Sequence, residues 1–241
     1  MVTLVRAELG KAAATRSFWV IGAIGVVFCV GWAALDVFVF GGRSEDAYGM
    51  AQQGYLFALI LGILLTAGEY RHQTITWAFL VTPGRGRVIT AKLVTNAVIG
   101  AVLGIAAVIV TAPAAAIMLS ATDRAVYTPG VPGVLVASVL TTALWGVFGA
   151  ALGLLIRNQT AAVVIAFVWF FYVEWVLIAL VPAVGRWTPT GVSKAVIGMS
   201  RAGFATPGDL LPQWAAIVVF LAYCGVVAAG ARVISVRRDV T

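Results

Sequence analysis

Charged side chains are scarce in this sequence, because only 10% of its residues are Asp, Glu, Lys or Arg. Soluble domains carry about 25%. A chain with so few charges cannot cover a water-facing surface with polar groups, and 62% of its residues are hydrophobic. The apolar residues form long blocks, and a block of roughly 20 crosses a bilayer as a helix. The composition excludes an ordinary soluble protein and predicts an integral membrane protein.

Alternating strand patterns are also missing from the apolar blocks, which excludes a transmembrane barrel and leaves α-helices as the spanning elements. We predict an all-α fold in which residues 2–16 form an amphipathic helix on the membrane surface. Six transmembrane helices follow, at about 18–40, 50–67, 93–119 (interrupted by Pro113), 133–156, 161–181 and 214–234. A polar turn is expected at residues 41–46. The spacings Gly100/Gly104 and Gly149/Gly153 favour close helix packing.

Residues that carry chemistry are few. One histidine and two cysteines exclude a histidine-rich metal site and a disulfide framework. The chain has no phosphate-binding loop of the G-x-x-x-x-G-K-[ST] type and no set of residues for nucleophilic catalysis. We therefore predict no catalytic, cofactor-binding or metal-binding residues, and a protein that is not an enzyme.

The net charge of +7 does not indicate nucleic-acid binding, because no basic run is interleaved with aromatic residues. Lysine and arginine gather at the cytoplasmic ends of spans. With both termini cytoplasmic, 11 basic residues lie inside and 5 outside, which favours that orientation in a plasma membrane. The inner set is Arg6, Lys11, Arg16, Arg71, Arg85, Arg87, Lys92, Arg157, Arg232, Arg237 and Arg238. Usage rich in Ala, Gly and Val is typical of a bacterial source.

The stretch between the second and third spans has the densest polar pattern. We predict a helix from Glu69 to Val81, ended by Pro83-Gly84. Five residues near its start would be available to a partner: Glu69, Arg71, His72, Gln73 and Thr74. Spacing alone leaves open the alternative of an ordinary interfacial helix between two spans.

The same stretch resembles the permease subunits of type-two, six-helix ABC exporters. Members often carry E-x-R-x-x-T, then T-P-x-x-R, then A-K at the start of the third span. The matching positions here are Glu69, Arg71, Thr74, Thr82, Pro83, Arg85, Ala91 and Lys92. The amphipathic first helix, the six spans and the long segment before the last span also fit the family. In that segment, Trp187–Gly191 followed by Ala195–Gly198 resembles the family's proline-then-small-helix outer gate.

The resemblance implies a single transmembrane permease domain over 1–241 with no nucleotide-binding domain of its own. The predicted helix would be a coupling helix that docks on a separate ATPase subunit, present in two copies and carrying the ATP and Mg. A second permease copy or a homologous permease would complete the path within the membrane lipids. Arg157 and Asn158 would form a second inner contact. The cargo expected from the family is amphipathic or lipid-like: a drug, antibiotic, peptide or lipid, as in drug efflux and antibiotic resistance.

Intramembrane polar residues form a second candidate site. Glu174 lies within the fifth span, where a carboxylate usually faces a cavity or a partner. Near it are Trp169 and Tyr172, and Asp36 lies towards the outer edge of the first span. These four are candidates for a translocation path or gate; the alternative is an interfacial position. Two other functions stay open, a proton-coupled secondary transporter that uses Glu174 and a non-transporting sensor or immunity subunit.

Overall fold

The structure, a computed structural model, describes residues 1–72, 74, 84–199 and 210–237. For residues 235–237 it describes the backbone alone. Across these ranges the chain is helical and no β-strand occurs. Six stretches within them are long and apolar enough to cross a membrane. The all-α fold with six candidate spans is thus confirmed, and the chain has the character of a multi-pass membrane protein.

The first two spans are built from several helical segments. Helix α1 covers Val2–Ala14, and the first span consists of α2, Arg16–Leu35, continued by a π-helical turn at Asp36–Phe40. The second span consists of α3 at Ser44–Gly49, a 3₁₀ segment at Met50–Gly54 and α4 at Tyr55–Arg71.

The third and fourth spans are single helices, α5 at Arg85–Ala121 and α6 at Val131–Ile156. The fifth consists of α7 at Gln159–Val168, a π-helical turn at Trp169–Val173 and α8 at Glu174–Leu180. Two short helices follow, α9 at Pro182–Gly185 and α10 at Pro189–Val196, and α11 at Gln213–Arg237 carries the last span.

Each predicted span falls within one of these helical stretches, to within one residue. Two local predictions are wrong. The turn expected at 41–46 already contains the start of α3, because the Asp46 carboxylate accepts the Arg43 backbone N–H at 3.0 Å and acidic residues in the first turn suit the helix dipole. Pro113 does not interrupt the third span, since α5 continues through it, as membrane helices tolerate proline.

Helix α6 is the centre of the bundle, packed between α4 and α5. Small residues allow this approach: a Cβ on Gly149 would overlap the Leu59 carbonyl oxygen of α4, and one on Gly100 would lie 2.6 Å from the Thr142 carbonyl oxygen of α6. The glycine spacings therefore serve internal packing, as predicted. The indole of Trp145 fills the space beside them and is fully buried against four aromatic rings, those of Tyr55, Phe148, Phe170 and Phe220.

The start of the chain and the end of α11 lie at the same end of the bundle. Helix α1 contacts the beginning of α5, and Ala231 near the end of α11 packs in one cluster with Ile89 and Leu154. We call this end the terminal face. The opposite end, formed by the π-helical turn of the first span, α3, α9 and α10, is the distal face.

Candidate functional site

Four charged side chains form an ion cluster at the terminal face. The ammonium of Lys92 lies 2.6 Å from Glu69 Oε1 and 2.9 Å from Glu8 Oε2. That of Lys11 lies 2.8 Å from Glu8 Oε1 and 3.3 Å from Glu69 Oε1. The side chain of Lys92 is only 1% exposed, so its charge depends on these carboxylates. The cluster joins α1, the end of α4 and the first turns of α5.

The cluster shifts the titration of its two α1 members. Burial alone would raise the pKa of Glu8, but the nearby ammonium groups of Lys92 and Lys11 outweigh it and lower that pKa below its usual value. Burial likewise opposes the charge of Lys11, and its hydrogen bond to Glu8 and the carboxylate of Glu69 outweigh burial and raise the Lys11 pKa. Both shifts favour the ion-paired state near neutral pH.

A polar groove of about 630 Å³ lies beside this cluster on the terminal face. Its walls come from the end of α4 and from the tight turn between α6 and α7. Arg157 occupies that turn in the left-handed region, φ 58°, and its guanidinium carbon lies 5.1 Å from the centre of the Tyr70 ring. Asn158 caps α7 by accepting the Ala161 N–H at 3.0 Å. The lining residues are Tyr70, Arg71, Ile156, Arg157, Asn158, Gln159 and Thr160.

The residues predicted to contact an ATPase divide into two groups. Glu69 points into the bundle, where its carboxylate meets Lys92, so it is not a free docking group. Arg71, His72 and Thr74 are exposed at the terminal face, and Arg71 lines the groove together with Arg157 and Asn158. The structure therefore brings the two predicted inner contacts to one place.

The predicted helix from Glu69 to Val81 does not begin as an element of its own, because its first residues belong to α4. Glu69 and Arg71 form the last turn of α4, which is continuous with the second span, and His72 leaves the helical conformation at ψ 5°. The Thr74 N–H donates to the Glu69 carbonyl at 3.0 Å and closes this turn. Gln73 and residues 75–83 lie outside the described residues, so the rest of the coupling helix stays a prediction.

Glu174 is fully buried in the distal half of the fifth span. Its Oε1 accepts the Trp169 indole N–H at 2.9 Å, and its Oε2 accepts the backbone N–H of Thr190 at 2.8 Å. Thr190 is the second residue of α10, whose amino terminus is also capped by the Thr188 hydroxyl accepting the Gly191 N–H. The carboxylate thus holds α10 against the span through the free N–H groups of a helix start.

The four residues predicted for a translocation path do not form one site. Trp169 and Tyr172 are 47% and 57% exposed on the outside of the chain, whereas Glu174 is enclosed. Asp36 is buried in the π-helical turn of the first span, and the backbone of Gly42 covers its carboxylate so closely that a Cβ there would lie 2.5 Å from both oxygens. The described residues include no group of three metal-ligating side chains.

Two adjoining cavities open between the first and fifth spans in the distal half. Trp32, Gln53 and Trp175 line both of them. The larger cavity, of about 190 Å³, is walled by apolar and aromatic side chains, among them Phe28, Tyr55 and Phe171. The smaller one, of about 60 Å³, contains the charged groups, Asp36, Asp46 and Lys194. We call the two together the aromatic cleft.

Sequence reasoning missed several of these residues. Glu8 and Lys11 read as ordinary surface charges of α1, and nothing in their spacing indicates Lys92 as a partner. Lys194 lies in a segment rich in proline and glycine, where burial is not expected. The pair Gln52-Gln53 within an apolar block was an available signal: Gln52 donates to the Ser193 hydroxyl at 2.8 Å and ties the second span to α10.

Comparisons with known proteins did not identify a family for this chain. A scan against protein-family models found no matching family, and a search of curated proteins returned no match.

Proposed function

We propose that the chain is the permease subunit of an ATP-driven ABC exporter that moves an amphipathic or lipid-like cargo across the membrane. The observation that carries this proposal is the groove on the terminal face, in which Arg71 after the second span lies beside Arg157 and Asn158 from the next turn on that face. Two polar turns side by side offer a partner one docking surface. The partner would be a separate ATPase, present twice, with the ATP and Mg on its own chain.

The ion cluster also supports this proposal, because it links the loop that would contact the ATPase to three helices. Lys92 links α5 to Glu69 at the end of α4 and to Glu8 of α1. Because the loop between α4 and α5 begins and ends next to these bonds, a force on that loop reaches three helices together. Closure of two ATPases would then shift the spans of the permease and open a path against a second permease copy.

A proton-coupled transporter remains the second candidate, since Glu174 is a buried carboxylate within a span. Its contacts favour a different role. Both oxygens accept hydrogen bonds from N–H donors, which suits a carboxyl group that positions α10. We therefore prefer the ATP-driven mechanism.

The test is purification of the tagged chain from its native cell in mild detergent, with mass spectrometry of what accompanies it. We expect a stoichiometric ATPase with the wild-type chain and its loss from the double variant Arg71→Gln/Arg157→Gln. Arg43→Gln is the matched control, because Arg43 is an exposed arginine at the distal face. Absence of any ATPase from folded wild-type protein would overturn the proposal.

A further inference from the structure

The groove on the terminal face lies at the ends of three candidate spans. The second span ends at Arg71, the fourth ends at Ile156 and the fifth begins at Gln159. All three of these residues line the groove. Because the ends of a transmembrane helix lie near the lipid headgroups, the groove opens at the level of the headgroups and not within the hydrocarbon.

Two guanidinium groups line this groove without a carboxylate to neutralise them. They belong to Arg71 and Arg157, and within the described part of the chain neither of them forms an ion pair. The carboxylates of Glu8 and Glu69 on the same face are already bonded inside the ion cluster. The sequence between Arg71 and the start of α5 contains no acidic residue. The groove therefore carries an excess of positive charge, which suits an anion.

The side chain of Arg157 has a buried donor that lacks an acceptor. Its backbone φ of 58° lies in the left-handed region, which residues other than glycine rarely adopt and which recurs at functional positions. The Tyr70 ring packs against its guanidinium. Its Nε is buried and has no hydrogen-bond partner among the described residues. Since a buried N–H without an acceptor costs free energy, a ligand oxygen at this place would be stabilising.

The wall that α7 gives to the groove continues into an apolar surface. Thr160 lines the groove, and Val164 and Val168 follow it at intervals of four residues on one face of that helix. Val164 is 54% exposed and Val168 is 47% exposed, whereas Ala162 and Ala166 on the opposite face are buried. In a span, exposed apolar side chains of this kind are covered by acyl chains. A molecule with an anionic head in the groove would therefore lay an apolar tail along α7.

We propose that the groove binds the phosphate of an anionic phospholipid, with Arg71 and Arg157 at the phosphate oxygens and an acyl chain along Val164 and Val168. Guanidinium groups bind phosphate through paired hydrogen bonds. Basic pockets between membrane spans bind anionic headgroups in other proteins. The described residues that line the groove include no carboxylate for the ammonium of a zwitterionic headgroup, so phosphatidylglycerol should bind in preference to phosphatidylcholine.

The lipid would also regulate the same surface. Arg71 and Arg157 belong to the docking surface proposed above, so a bound headgroup would make ATPase docking depend on the lipid composition of the membrane. This consequence rests on the proposed function, whereas lipid binding itself needs no ATPase.

Substitutions at Arg157 separate binding from folding. Arg157→Gly removes the guanidinium and suits the φ of 58°, so the unfolding temperature should not fall while the affinity for phosphatidylglycerol drops about tenfold. Arg157→Lys keeps the charge but loses the fork that meets two phosphate oxygens, and should weaken binding several-fold. Arg6→Gln is the matched control and should leave the affinity unchanged, because Arg6 is an exposed arginine at the same face that does not line the groove.

The experiment uses the full chain without ATPase in a neutral detergent, and native mass spectrometry during titration with phosphatidylglycerol or phosphatidylcholine of the same acyl chains. We expect saturable and preferred binding of phosphatidylglycerol, weakened in Arg157→Gly and in Arg71→Gln and unchanged in Arg6→Gln. Equal affinity for the two lipids would overturn the proposal. An equal loss in Arg6→Gln would also overturn it, since general charge attraction would then explain the binding. If Arg157→Gly does not fold, Arg71→Gln at its exposed position decides.

Competition with soluble compounds identifies the source of the phosphate. Inorganic phosphate and glycerol 3-phosphate carry the charged group without acyl chains. We expect neither to displace phosphatidylglycerol when it is added in an amount equal to the lipid. Displacement by either one would show that the groove binds a free phosphate compound, and would overturn the assignment to a lipid.

The purification that tests the exporter function separates the two proposals. If no ATPase accompanies the folded chain and the lipid preference holds, the exporter function fails and the lipid site stands. If an ATPase co-purifies, is lost from Arg71→Gln/Arg157→Gln, and no lipid preference is found, the two arginines recognise an acidic protein surface. That result would overturn the lipid proposal alone.

Discussion

The terminal and distal faces both bury carboxylates, and they stabilise them in different ways. At the terminal face, Glu8 and Glu69 are neutralised by Lys92 and Lys11 from other helices or other turns. At the distal face, Glu174 is held by two N–H groups, the indole of Trp169 and the backbone of Thr190. One solution uses full opposite charges and the other uses fixed dipoles.

This difference determines how each face fails. Charges in a cluster depend on one another, so the loss of one member leaves its neighbours buried and uncompensated. A carboxylate held by separate N–H donors loses its contacts one at a time. One substitution at the terminal face should therefore destabilise the whole ion cluster. Substitutions at the distal face should each remove one hydrogen bond and a part of the stability.

The largest expected effect follows from removing the centre of the terminal cluster. Lys92→Met leaves two partly buried carboxylates without their shared cation and should reduce the free energy of unfolding by about 3–5 kcal/mol. Thermal unfolding in detergent measures it. Lys11→Met is the matched control: its side chain is 56% exposed, and its loss should cost at most about 1 kcal/mol. Equal losses in both variants would contradict the central role of Lys92.

A smaller effect is expected at the distal face. Glu174→Gln keeps the size of the side chain but turns one accepting oxygen into an amide NH₂ that cannot accept a hydrogen bond, and should cost about 1–3 kcal/mol. Limited trypsin digestion followed by mass spectrometry adds a local readout, because a loosened α10 exposes the buried Lys194 to cleavage. Trp169→Phe removes a single donor and should give an intermediate cleavage rate. Unchanged protection in Glu174→Gln would mean that other contacts hold α10.

The smallest effect is a pH dependence of the terminal face that comes from Glu8. The pKa of Glu8 is lowered in the folded chain, so its contribution to stability is fully present above the pKa of the unfolded state and is lost as the pH falls through the lowered folded value. The difference in unfolding temperature between wild type and Glu8→Gln should shrink on acidification over that range. A difference that stays constant with pH would show that Glu8 acts through packing alone.

Much of the fold was predictable because membrane spans can be identified in a sequence by their length and hydrophobicity. Each of the six apolar blocks lies within a helical stretch, apart from one residue at the end of the fifth. A short helix after the proline of Thr188-Pro189 was expected only from the family resemblance, and α10 lies there. The candidate sites were predictable only in part. Arg71, Arg157 and Asn158 could be identified as polar groups at turns, but their shared groove depends on how α4 packs against α6.

The sequence did not predict whether a given polar side chain faces the inside of the bundle or the solvent. Glu69 and Arg71 are two residues apart, and the α-helix turns one towards Lys92 and the other towards solvent. Asp36 begins one π-helical turn and Glu174 directly follows another. The extra residue of such a turn changes the facing of the positions that come after it. A prediction based on ideal helical periodicity misjudges such positions.

The burial of the second span has a consequence for biosynthesis. It is the least apolar of the six candidate spans, and 78% of its most apolar window is enclosed by the rest of the chain, against 17% for the last span. Its main packing partner, α6, is synthesised later, so the second span leaves the ribosome before the helix that covers it exists. Stable insertion of this span should therefore wait until the fourth is made, and truncated chains that end before α6 should be left for proteolysis.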